Sequence, residues 1–372
     1  MLEHFKQCVF EKKEASVVYL GGSITEGQGV DDKRLCWQGL LQSFMDREWD
    51  GCRFRAVNAG IGGTDSRFGA FRMERDVLVH RPDLLFVEFA VNDYTREPGE
   101  IRQSLEAILY KLWKEFPLAD VVFVLTTTMK MAEEANYGRT DVYADGQDEP
   151  AVGKLPESVQ IHMQVAREYK IPCVNVGKAL LEELAVRRLQ PEMLLPDLVH
   201  PSRDGYEVYY ECLKDFLGKA MREEKKEETS SLRSALNEKI SENPYASCRM
   251  VPAQNAELHG FWKEHIAMCG RFGSYVSSAS AGSSLEFTFM GDKIGLFYTV
   301  ACDSGDMEWS LDHGEWNFLS SWDAYALKFD RGSARMLAEG LENSEHVLRI
   351  RVKDSRAEGS LGNFIRISDF LV

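Results

Sequence analysis

No C-x-x-C pair and no other close grouping of cysteines occurs in this chain of 372 residues; its eight thiols are scattered at Cys8, Cys36, Cys52, Cys173, Cys212, Cys248, Cys269 and Cys302. That spacing argues against both a zinc site and a disulfide framework, and reduced thiols in a cytoplasm are the simplest reading. Positive charge is also short, with 44 Lys and Arg against 59 Asp and Glu and a formal net charge of −15. An acidic chain repels polyanions, so nucleic acid and anionic membrane surfaces are disfavoured as partners and a neutral substrate fits better. No hydrophobic run approaches transmembrane length. The first residues, Met1-Leu2-Glu3-His4-Phe5-Lys6, lack the basic region, apolar stretch and small-residue cleavage site of a secretory signal, which again leads to the expectation of a cytoplasmic protein. The turn Gly21-Gly22-Ser23-Ile24-Thr25-Glu26-Gly27 contains neither Gly-x4-Gly-Lys-Ser/Thr nor Gly-x-Gly-x-x-Gly, and Glu26 would repel a phosphate, so nucleotide binding is not expected. Internal repeats and low-complexity tracts are missing as well.

What is present is the composition of an ordinary globular protein, 44% hydrophobic and 28% charged, at a length that predicts two or three domains. From residue 16 to about 226, short apolar runs alternate with helical patterns. The runs Ser16–Gly21, Arg53–Asn58, Asp83–Phe89, Asp120–Thr126 and Pro172–Val176 are bounded by turn residues or charge and read as strands. Leu35, Leu40, Leu41 and Phe44 mark one helix between them, and Ile101, Leu105, Ile108, Leu109 and Leu112 a second. Gln160–Tyr169, Lys178–Leu189 and a closing helix over Asp204–Glu228 complete the set, the last ending in a charge run that reads as a solvated helix end. Buried strands with helices between them imply an α/β domain with a doubly wound, flavodoxin-like parallel sheet. The stretch Lys130–Gly153 has no clear period and reads as a long loop, either functional or a surface insertion.

After Tyr245 the texture changes to period two: Ser284–Phe289, Lys293–Thr299, Met307–Leu311, Ala324–Asp330, His346–Val352 and Phe364–Leu371, separated by turns such as Gly291-Asp292 and Asp312-His313-Gly314. These predict a β-sandwich of jelly-roll type. The expected organisation is a catalytic domain over 1–228, a linker or connecting helix over 229–244, and the sandwich over 245–372.

In an open parallel sheet, ligands bind beyond the carboxyl ends of the strands. Ser23 follows the first strand, Asn58-x-Gly60-x-x-Gly63 the second and Asn92-Asp93 the third. A serine hydroxyl becomes a useful nucleophile only beside a base whose tautomer is fixed by a third group. Asp197-Leu198-Val199-His200 can supply both from one turn, with His200 taking the Ser23 proton and Asp197 holding the imidazole. The backbone N–H groups of Ser23 and Gly63 and the amide of Asn92 are candidate donors to an oxyanion. Plainer readings stand beside each: a Gly-Gly-Ser turn can be a helix cap, Asn58 and Asp93 can simply hold turns, and Asp-x-x-His can be a capping pair or half of a metal site whose further ligands are missing. The four blocks occurring together in order favour catalysis.

Those blocks resemble the SGNH (GDSL-type) hydrolases over roughly residues 16–226. The resemblance implies a serine esterase with Ser23, Asp197 and His200 catalytic, with Ser23, Gly63 and Asn92 at the oxyanion, and with no cofactor and no metal. Gly21-Gly22-Ser23 stands where Gly-Asp-Ser is common, and Ala90-Val91-Asn92-Asp93 where Gly-x-Asn-Asp is common. The Gly-Gly-Ser form is similar to that of carbohydrate-acting members, and an appended sandwich resembles bacterial esterases that deacetylate plant polysaccharides, acetylated mannan oligosaccharides included. An acetylated oligosaccharide is therefore the expected partner. Trp316 and Trp322, in apparent loops of an aromatic-rich tail, are the candidate sugar contacts, with core packing as the plainer role. The alternatives are another acylhydrolase of this type, such as a lysophospholipase or thioesterase, and a non-catalytic carbohydrate-binding protein.

Overall fold

The computed structural model describes residues 1–137, 154–223, 240–266 and 273–372. The chain divides into two compact units, Met1–Ser247 and Cys248–Val372. Outside the described residues lie 138–153 of the expected loop, the charged run at 224–228, most of the expected linker, and Cys269.

In the first unit five strands form one parallel sheet: β1 (Glu14–Gly21), β2 (Arg53–Gly60), β3 (Leu84–Glu88), β4 (Asp120–Val124) and β5 (Cys173–Val174), in the order β2-β1-β3-β4-β5. This is the doubly wound, flavodoxin-like order. All of β3 and nearly all of β1 is buried, as expected for strands covered on both faces. Helices Trp37–Glu48, Pro98–Glu115, Glu157–Glu168, Val176–Arg187 and Arg203–Arg222 lie between and after the strands. Pro98–Glu115 buries Ile101, Leu105, Ile108, Leu109 and Leu112, the expected stripe, and starts with Pro98 where a missing N–H costs nothing. The first helix differs. Leu35 belongs to a separate 3-10 turn, and the buried stripe is Trp37, Leu41 and Met45 rather than Leu40 and Phe44. Trp37 sets that rotation, because its ring packs edge-on against Tyr19 of β1 at 5.3 Å, and Tyr19 stacks on Phe86 of β3 at 5.2 Å. Burying each such ring is worth on the order of 2–3 kcal/mol, more than the preference of Leu40 and Phe44 on a half-exposed face. Where a loop was expected from Lys130 onward, Met129–Glu134 is helical: Thr128 caps it by accepting from Met131 N–H, and Met131 and Ala132 are buried. Among the described residues no helix is long and apolar enough to cross a membrane.

The second unit is antiparallel. Its strands are β6 (Met250–Pro252), β7 (Glu257–His259), β8 (Lys263–His265), β9 (Tyr275–Ser278), β10 (Ser284–Val300), β11 (Asp306–Leu311), β12 (Asn317–Ser320), β13 (Arg331–Val352) and β14 (Ile365–Leu371). The two expected strands Ser284–Phe289 and Lys293–Thr299 are one, β10, which pairs with β13 along its whole length. Gly291-Asp292 is a bulge in this ladder and not a turn. The first half of β10 pairs with β7 and the second with β14, so the two layers of the expected sandwich are halves of one curled sheet. Phe287 from one half stacks on Phe370 from the other, with centroids 3.9 Å apart and planes 6° from parallel. The run Ala324–Asp330 is not a strand: Asp323 accepts from Tyr325 N–H and starts a 3-10 turn over Ala324–Leu327.

Candidate active site

The strand order reverses between β1 and β3, and the crevice outside their carboxyl ends is where this fold takes ligands. Ser23 opens the short helix Ser23–Glu26 directly after β1, and is buried but for 8% of its surface. The next loop is pinned beneath it: Asn58 accepts from Gly60 N–H and donates to the Thr25 carbonyl, and Glu26 accepts from Gly62 N–H. Asn58 and Glu26 therefore brace the turn. Gly62 lies close enough that a Cβ there would sit 3.6 Å from the Ser23 Cβ, and Gly63 follows with φ +72°, the left-handed conformation that glycine adopts without strain. From beyond β3, the Asn92 side chain reaches Gly22, where any Cβ would collide with its Oδ1. The unusual glycine at 22 thus makes room for the Asn92 amide.

His200 arrives from the other side. Asp197 Oδ1 accepts from the backbone N–H groups of Val199 at 3.0 Å and His200 at 2.7 Å, closing a turn in which Leu198 has φ +65°, and Pro201 keeps His200 out of the helical region. Ser202 then caps the helix Arg203–Arg222. The turn leaves Asp197 Oδ2 2.7 Å from His200 Nδ1 and His200 Nε2 2.8 Å from Ser23 Oγ. With Nδ1–H donating to Asp197, Nε2 is free to accept from the Ser23 hydroxyl. Burial works to raise the Asp197 carboxyl, but hydrogen bonds from the His200 ring and from the two backbone N–H groups outweigh it and hold the group below its ordinary value.

Among the described residues, the N–H groups of Ser23 and Gly63 and the amide N–H groups of Asn92 have no hydrogen-bond partner. Asn92 itself is held through its neighbour. Asp93 is fully buried, accepts from Ser66 N–H at 2.9 Å, and pairs with buried His162 at 2.8 Å. Ala90, where glycine is common, gives its carbonyl to the Ser158 hydroxyl.

Three groups that hold the site escaped the sequence reading. Arg72, fully buried, donates to the carbonyls of Gly21 and Ala59 at the ends of β1 and β2. His162 anchors Asp93, and Glu88, at the end of β3, bonds Thr25 and Thr126. Their signal was a lone polar residue in an apolar run or stripe, such as the glutamate in Leu84-Leu85-Phe86-Val87-Glu88-Phe89-Ala90.

The two tryptophans lie in the second unit, outside its strands. The Trp316 ring carries the Arg351 guanidinium 4.1 Å from its centroid, and Trp322 packs on the core with Gly359 against its ring. Phe318 and Tyr325 are the more exposed rings of that stretch, at 60% and 63%. Among the described residues, one cluster has metal-ligating chemistry: His4, Cys8 and Asp83, whose ligand atoms lie within 4.8 Å of one another. They are hydrogen-bonded together where Asp83 precedes β3, at the opposite end of the strand from Asn92.

A Ser-His-Asp relay at the carboxyl ends of a flavodoxin-like sheet has the geometry that serine hydrolases use. Residues 19–208 match the model of the GDSL-like lipase/acylhydrolase family, and the chain belongs to that family. Esterase TesA of Pseudomonas aeruginosa is 31% identical over 98 residues, which are 26% of this chain and 47% of that protein, so the chain spans about half the length of this curated relative. A two-domain esterase active on acetylated mannans, co-crystallised with mannopentaose, superposes with a TM-score of 0.77 at 21% identity over 99% of this chain and 94% of that one. A second structure of such an esterase gives 0.78 at 21% identity, over 100% and 95% of the two chains. At that identity the likeness establishes a shared fold, and it extends over both units.

Proposed function

We propose that the protein is a carbohydrate O-acetylesterase that removes acetyl groups from plant-derived oligosaccharides, with acetylated manno-oligosaccharides as the leading substrates. The observation that carries the chemistry is the relay in which His200 bridges Ser23 at 2.8 Å and Asp197 at 2.7 Å. In this reading His200 Nε2 takes the Ser23 hydroxyl proton as Oγ attacks the acetyl carbonyl carbon, and Asp197 stabilises the imidazolium that forms. The negative charge on the carbonyl oxygen is met by the N–H groups of Ser23, Gly63 and Asn92, which have no other partner among the described residues. Collapse expels the sugar alkoxide, which takes the proton from His200, and leaves acetyl-Ser23. Water, deprotonated by the same imidazole, then releases acetate.

The choice of acetyl and sugar is supported by the mannan-active esterase that shares the two-unit fold, and by an acidic chain that suits a neutral substrate. The test is acetate release from acetylated manno- and xylo-oligosaccharides by the wild type and by Ser23→Ala, with a long-chain ester as control. Release by the wild type alone is the expected result and identifies the sugar. Turnover of the long-chain ester with none of the sugars would move the protein to lipid or thioester chemistry, and equal release by Ser23→Ala would remove Ser23 as nucleophile.

A further inference from the structure

Glu88 is a fully buried carboxylate at the end of the central strand β3, and among the described residues no cation pairs with it. An ionisable group in that position normally needs a reason. Its partners point to one. Oε2 accepts from the Thr25 hydroxyl at 2.9 Å, inside the helix that Ser23 opens, and Oε1 accepts from the Thr126 hydroxyl at 2.6 Å, just past β4. The backbone N–H groups of Thr25 and Gly22 act on the same carboxylate, and Gly22 N–H also donates to the Glu88 carbonyl at 3.3 Å. Every one of these groups except Thr126 belongs to the turn that presents the nucleophile. The packing leaves no slack: a Cβ on Gly21 would collide with the Thr25 hydroxyl and stand 2.6 Å from the Glu88 carbonyl oxygen. Facing Glu88 from the helix Arg203–Arg222 are Tyr206 and Tyr209. Tyr206 donates to the carbonyls of Ile24 and Gln28, so it grips the same turn from the other side, and the Tyr209 hydroxyl has no partner among the described residues.

We propose that Glu88 is the positioning residue of the nucleophile turn, and that ionisation of its carboxyl sets the reactivity of Ser23. The proposal rests on the reading of Ser23 as nucleophile. As a carboxylate, Glu88 only accepts, and holds the Thr25 and Thr126 hydroxyls at once. As a neutral acid it donates one hydrogen bond itself, so one threonine hydroxyl must turn round to accept, the charge-assisted bonds are lost, and the turn is held less tightly. Burial pushes this carboxyl up to about 7, against the pull of Thr126, Thr25 and the backbone. The change of state therefore falls at neutral pH. A displacement of the nucleophile by a fraction of an ångström is enough to slow attack severalfold to many-fold.

The experiment reads the rate at which a fluorophosphonate labels Ser23 between pH 5 and 9, which needs the nucleophile but no particular substrate, in the wild type, Glu88→Gln and Thr25→Val. Glu88→Gln keeps one carbonyl acceptor and places N–H donors at the other position, so like the neutral acid it can no longer accept at both ends, and it cannot ionise. Wild type should show a steeper rise through pH 7 than Glu88→Gln, which stays on the order of tenfold slower above pH 8. Thr25→Val removes one donor to the carboxylate and should shift the step to higher pH. With an acetyl ester the loss should fall on kcat and leave KM unchanged, and an infrared band of a protonated carboxyl, absent in Glu88→Gln, should disappear with the same midpoint. Identical pH profiles and rates in wild type and Glu88→Gln would overturn the proposal while leaving Ser23 in place. Should Glu88→Gln fail to fold, an unshifted profile in Thr25→Val overturns it equally. Failure of the wild type to label at Ser23 at any pH would instead overturn the nucleophile reading, and this proposal with it.

Discussion

Burying an ionised Glu88 has a price in stability that can be measured apart from any activity. The unfolded chain releases this proton near the ordinary 4.5, whereas the folded chain holds it to about 7. Between those values the native state binds more protons than the unfolded state, so stability falls as pH rises through this window and levels off above it. At about 1.4 kcal/mol per pH unit, the gap corresponds to a loss of roughly 3 kcal/mol, a substantial share of a domain's net stability. Glu88→Gln should lack this loss. Other buried acids add their own slope; Asp93, which burial raises despite the bond from His162, is one. The quantity of interest is therefore the difference between wild type and Glu88→Gln. Amide hydrogen exchange at β1 and β3, corrected for the intrinsic pH dependence of exchange, reports opening of the first unit alone. The protection free energy of wild type should fall by roughly 3 kcal/mol more than that of the variant between pH 4.5 and 8. Parallel slopes for the two proteins would show that Glu88 is not held protonated by its burial, and the reasoning would fail.

Three further outcomes follow from the geometry. Asn92→Ala removes an amide with no other partner among the described residues, and kcat should drop on the order of 10²–10³ with folding intact; unchanged kcat would take Asn92 out of the oxyanion role. Gly22→Ala puts a methyl where the Asn92 Oδ1 lies, so it should displace that amide and lower kcat by about 10² while leaving the thermal midpoint nearly unchanged, a split that steady-state kinetics and a melting curve would test. Asp93→Ala strands buried His162 without its acceptor and frees Ser66 N–H, which should destabilise the first unit by about 3 kcal/mol or more; a loss under about 1 kcal/mol in denaturant titration would mean the pair is easily replaced by water.

The division between what the sequence discloses and what it withholds follows the range of the interactions. Parallel strands announce themselves as apolar runs because they are buried on both faces, and β1 to β4 stand within two residues of where those runs place them. The loops that follow β1, β2 and β3 carry Ser23, Gly63 and Asn92, so placing the strands correctly also brings those loops together. The Asp197–His200 turn is equally local, since one carboxylate oxygen closes the turn and the other meets the ring. Where a long-range contact decides, the sequence misleads. Gly291-Asp292 has turn composition, but β13 pairs across it and makes it a bulge, and Leu40 yields the buried face to Trp37 because Tyr19 and Phe86 wait on the sheet.

The groups beneath the candidate nucleophile are the extreme case. Glu88 bonds residues 63 positions before it and 38 after it, and Arg72 reaches back 51 positions to Gly21. In one dimension each is a charged residue out of place, and only the folded sheet supplies the partners. Burying an ionisable group is costly, and here both Glu88 and Arg72 converge on the turn that carries Ser23.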